Sequence, residues 1–83
     1  MYYLIMCRSL TFAQRIANAL ETAGVRARVL RSPAELSPSG CSYSVRLPAR
    51  FLAKAMAVLK HTGLPYLGIY VGSPAEHWRE VSS

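Results

Sequence analysis

Two cysteines hold the nucleophilic capacity of this sequence. Cys7 closes the apolar run MYYLIMC, and Cys41 directly follows the loop RSPAELSPSG. A thiolate is a strong nucleophile, whereas a buried, protonated cysteine is only a small apolar filler. For Cys41 both readings stay open; Cys7, at the end of an apolar strand, reads as core or as a resolving thiol. Neither cysteine lies in a CxxC pair, and His61 and His77 are distant in sequence from both. No zinc site and no other cofactor is expected, and two cysteines are too few for a secreted disulfide framework. With four Glu and no Asp, no nucleophile–base–orienter set assembles around either thiol, so a stand-alone enzyme is not expected.

The chain has 83 residues, enough for one domain with a small core, and is 52% hydrophobic and 17% charged, which excludes a disordered tail. The Met1–Cys7 run is far shorter than the ~20 residues of a membrane helix, and no secretory leader pattern surrounds it. A cytoplasmic protein with no membrane contact is the expectation. Eight Arg and two Lys against four Glu give a net charge of +6. That balance suits nucleic acid or an acidic protein as partner, and it equally serves solubility.

The elements that must position these residues follow from periodicity. Residues 2–7 read as a strand buried on both faces. Phe12, Ile16, Leu20 and Ala23 recur at helical spacing, with Ser9 or Thr11 as the cap and Gly24 as the stop. Residues 25–30 alternate Val25, Ala27 and Val29 against Arg26 and Arg28. Residues 41–47 alternate Cys41, Tyr43, Val45 and Leu47 against Ser42, Ser44 and Arg46. Pro48 opens a second helix, striped by Leu52, Ala55 and Leu59 and ended by Gly63. Residues 66–71 form a last strand, with Tyr66 and Tyr70 opposite Leu67, Ile69 and Val71. Ser73, Pro74 and Glu76 then predict a short C-terminal helix, so 1–72 is the domain and 73–83 a helical tail.

The order βαββαβ predicts an α+β, ferredoxin-like fold: a four-stranded antiparallel sheet, first and third strands central, with two helices on one face. In that topology the end of the first strand, the first helix N-terminus and the start of the third strand share one edge. Cys7, Arg8, Ser9, Arg31, Gly40 and Cys41 are therefore expected to cluster there. Helix amides, loop amides around Gly40 and nearby guanidinium groups lower a thiol pKa. The opposite sheet face is expected to be open, showing Arg26, Arg28, Ser42, Ser44, Arg46, Tyr66 and Tyr70, with every second side chain of the first strand. Tyrosines among arginines suit single-stranded RNA, and an open face equally suits pairing with a second copy.

The pattern of Tyr2–Ile5, Ser9, Pro33, Glu35, Ser37 and Cys41, closed by Gly68 and Tyr70, resembles the small Se/S carrier-like proteins from Tyr2 to Val71. Ser42 stands where that family usually has Gly, and Ala34 where an Arg is common. The resemblance implies a protein that holds sulfur or selenium on Cys41, as a persulfide or selenide adduct, for delivery to a partner enzyme. Ser9 and Ser37 fall in its site, and the basic surface would dock an acidic partner.

Overall fold

The computed structural model describes residues 1–37, 42–73 and 77–81. Along the chain these form β1 (Tyr2–Cys7), α1 (Leu10–Thr22), β2 (Arg28–Arg31), β3 (Tyr43–Pro48), a 3-10 turn (Ala49–Phe51), α2 (Leu52–Thr62), β4 (Gly68–Gly72) and β5 (Arg79–Glu80). The protein is α+β, with two helices and one five-stranded sheet in the order β2-β3-β1-β4-β5. Every neighbouring pair is antiparallel.

Side-chain alternation decides which sheet face receives the helices. Ile5 and Cys7 of β1, Val45 and Leu47 of β3 and Ile69 of β4 join one core cluster with Ala13, Ile16, Ala17 and Leu20 of α1 and Ala55 and Leu59 of α2. Only odd-numbered sheet positions enter that cluster, so both helices cover the odd face. The α1 stripe is spaced at three and four residues, which puts its buried side chains on one side of the helix. Gly63, in the left-handed region at φ 69°, ends α2 by donating its N–H to Leu59 O at 3.0 Å.

Three expectations need correction. The tail is not helical where it is described: Arg79 and Glu80 pair with Val71 and Tyr70 as an added edge strand, and Val81 N–H donates to Ile69 O at 2.7 Å. An unpaired β4 edge offers a full row of backbone partners, which a two-turn helix on the surface could not use. The helix start expected at Pro74 and Glu76 lies outside the described residues. Secondly, β2 begins at Arg28 and β4 at Gly68. Arg26 and Tyr66 therefore stand outside the strands, and Tyr66 packs against the helix-side core instead of sharing a face with Tyr70.

The third correction concerns the even face, which is only partly open: Arg28 is exposed and Arg46 and Tyr70 half-buried, while other positions are covered. Leu4 and Ser44 are 0% exposed and Ser42 8%. Over this face the connection after β2 meets the segment entering β5, Glu35 Oε2 lying 3.3 Å from His77 Nδ1. Gly72 admits that segment closely, since a β-carbon there would lie 2.8 Å from His77 O and 3.1 Å from the Trp78 ring. Strands at opposite edges of the sheet are thus linked across the face the helices leave free.

Candidate functional site

β1 delivers the chain at Cys7 to Arg8 and Ser9, and antiparallel pairing places Tyr43, the first residue of β3, opposite Cys7. Ser9 has extended backbone and caps α1, its Oγ accepting from Phe12 N–H at 3.4 Å. Ser9 thus takes the cap that the sequence divided between Ser9 and Thr11. The first turn of α1 holds no acidic residue, so the partial positive charge of its free N–H groups meets no carboxylate from its own helix.

Arg8 is exposed and shares a pocket of about 160 Å³ with Phe12, Pro65, Tyr66 and Leu67. Arg31, also exposed, lies over the Tyr43 ring, 5.8 Å from its centroid. Both cations flank the end of the sheet at which β1 finishes and β3 starts. In the connection after β2 and at the start of β3 four serines are buried: Ser32, Ser37, Ser42 and Ser44. Ser32 and Ser44 share a hydrogen bond of 2.7 Å between their hydroxyls, and Ser37 N–H donates to Pro33 O at 3.0 Å. The Ser42 hydroxyl has no hydrogen-bond partner among the described residues. A buried hydroxyl left without any partner costs roughly 1–3 kcal/mol.

Cys41 and Gly40 lie outside the described residues. Cys7 is a buried free thiol on the helix-side face, its Sγ 3.5 Å from Ile5 O. Burial pushes that thiol up from 9.0 to about 11, because a thiolate would lose its hydration among apolar side chains. At neutral pH Cys7 is a core residue holding its proton. Among the described residues no cluster of three His, Cys, Asp or Glu could hold a metal ion.

The profile of one protein family, described as putative Se/S carrier protein-like, matches residues 2–71. The chain belongs to that family. Among curated proteins and among solved structures, nothing matches it. The match in this putative Se/S carrier protein-like family runs from the first residue of β1 into β4, so it spans both strand ends, the α1 cap and Cys41.

Of the sheet-face candidates, Arg26, Arg28 and Arg46 line one cleft. Tyr70 stands in register with Glu80 toward the opposite edge, and Tyr66 is on the other side of the sheet. Every second side chain of β1 is expected on this face without a parity being chosen; the structure puts Tyr2 there, its ring receiving the Arg46 guanidinium at 4.7 Å from its centroid. The buried serines were missed because alternation assigns a face but cannot tell that a loop lies over it.

Proposed function

We propose that this protein carries sulfur or selenium on Cys41 and delivers it to a partner enzyme. Membership of the Se/S carrier-like family over residues 2–71 carries this reading. Three features of the described residues support it. The ends of β1 and β3 meet beside the α1 N-terminus. Arg8 and Arg31 flank that end. Ser42, next to Cys41 in sequence, has a buried hydroxyl with no hydrogen-bond partner among the described residues. The frame, in this reading, is ferredoxin-like with β5 appended at an edge.

The chemistry is a sulfane transfer without net redox change. The Cys41 thiolate attacks the outer sulfur of a donor persulfide, the new Sγ–S bond forms, the donor S–S bond breaks and the donor thiolate leaves. Delivery repeats the step, with an acceptor thiolate attacking the outer sulfur and Cys41 leaving as thiolate. The role is to hold and hand over a group, not to turn over a substrate alone. A carrier requires a protein partner, and the net charge of +6 favours an acidic docking surface, with contact weakening as salt is added. The reducing cytoplasm is the setting that suits such a thiol.

Treating the reduced protein with a low-molecular-weight persulfide and weighing it intact tests the reading. One added sulfur atom per chain is expected, retained in Cys7→Ala and lost in Cys41→Ser. Equal uptake by Cys41→Ser would remove the assignment.

A further inference from the structure

Arg28 and Arg46 occupy directly opposed positions on the β2–β3 ladder. Like charges so placed destabilise a sheet. Among the described residues neither has a carboxylate within 4.0 Å, and the one acid–base contact found is His77–Glu35. With Arg26 and Tyr2 they line a cleft of about 780 Å³ that reaches Glu21 and Gly24 at the end of α1. Lys54 of α2 brings a fourth cation, its Nζ 3.6 Å from the position a β-carbon on Gly24 would take. Three arginines thus share one cleft with an aromatic ring and a single acid, and Lys54 approaches its Gly24 end.

We propose that this cleft binds a nucleoside phosphate. Arg26, Arg28 and Lys54 hold the phosphate groups, and the base stacks on the plane made by Arg46 and Tyr2. Guanidinium forks match phosphate oxygens two at a time, and their faces stack on aromatic rings and bases. The cleft volume lies within the range of small-molecule sites. Glu21 separates this ligand from a plain polyanion, since its carboxylate accepts hydrogen bonds from a ribose hydroxyl or a base amine but repels inorganic phosphate and acidic peptide. The repulsion between Arg28 and Arg46 is relieved when an anion lies between them. The cleft is distinct from the thiol site: Tyr2 and Cys7 are opposite ends of β1, roughly 17 Å apart at ~3.3 Å per residue. The inference therefore goes beyond the carrier reading and does not rest on it.

A free nucleotide and a nucleotide within single-stranded RNA present the same groups, and a titration of the full chain separates them. The probes are AMP, ATP and a short labelled oligouridylate, with inorganic phosphate and oligoglutamate as controls, read by amide chemical shifts and fluorescence anisotropy. Shifts are expected at Tyr2, Gly24, Arg26, Arg28, Arg46 and Lys54. An Arg28→Gln/Arg46→Gln variant should bind about tenfold more weakly or worse, since each hydrogen bond to a charged group is worth roughly one factor of ten. For the oligonucleotide, the slope of log affinity against log salt should fall by roughly 0.7 for each lost phosphate contact. Saturation by AMP or ATP identifies the free nucleotide as the source, and saturation by oligouridylate alone identifies RNA. The proposal is overturned if no nucleotide shifts these residues, if the double variant keeps its affinity, or if oligoglutamate or inorganic phosphate binds as well as the nucleotides. Circular dichroism of the variant separates lost binding from lost folding.

Discussion

At residue scale, the difference between an inert and a reactive sulfur is one of environment. Cys7 is enclosed by core side chains, and its thiol is pushed up to about 11. The sign of the resulting pH effect is fixed. The folded state keeps the proton above the pH at which the unfolded chain loses it, so stability is full below about pH 9 and falls toward pH 11. A loss of about 2–3 kcal/mol over that window is expected from denaturant titrations, and Cys7→Ala should abolish this component of the slope. Cys41, by contrast, is expected to alkylate with a midpoint below the ~8.5 of a free thiol. A pH-resolved alkylation experiment on Cys7→Ala reads Cys41 alone, and a midpoint at or above that of free cysteine would argue against a carrier thiol. Gly72 makes another single-residue test. An added methyl meets the His77 carbonyl at 2.8 Å, so Gly72→Ala should cost roughly 1–3 kcal/mol and loosen the segment that crosses the even face.

At the scale of elements, both helices are held at their ends by local chemistry. Ser9→Ala removes the α1 cap and should lower stability by about 1 kcal/mol, measurable as a shift in the urea midpoint. Gly63 has no heavy atom within 4 Å of a prospective β-carbon, so its substitution isolates the left-handed backbone cost. Gly63→Ala is expected to lose roughly 1–2 kcal/mol without any repacking. Both strand-edge expectations shifted for one reason. Alternation in "YLGIYV" is clean, yet Tyr66 lies before the β4 ladder and turns toward Met56 and Leu59 of α2. Periodicity describes a strand only where a partner strand exists to enforce it.

For the whole molecule, charge is the dominant unbalanced quantity. The net charge is +6, and the described residues offer one acid–base side-chain contact within 4.0 Å, between His77 and Glu35. Self-repulsion should make added salt stabilising, so the thermal midpoint is expected to rise between low and physiological ionic strength. Arg28→Gln should stabilise the free protein by roughly 0.2–1 kcal/mol by removing the cross-strand repulsion with Arg46. If the same variant weakens nucleotide binding, the repulsion is a cost tolerated for a ligand. The two sites also divide the molecule. The proposed sulfur chemistry belongs to the end where β1 finishes, and the cationic cleft lies toward the end where it starts.

Composition and periodicity determined the order of elements from Tyr2 to Gly72, the stripe of α1 and the stops at Gly24 and Gly63. These depend on neighbours a few residues apart, and short-range spacing writes them directly into the chain. Tertiary structure alone decided the rest. Trp78 and Val81 entered an edge strand and its approaches because β4 presented unpaired backbone there. Ser42 and Ser44 became buried because distant segments meet over their face. Tyr2 and Arg46 came together from separate strands, and Lys54 of α2 approached Gly24 at the end of α1. Such contacts join residues far apart in sequence, and no local pattern encodes which surface a loop will cover or which distant charge will be left without a counterion.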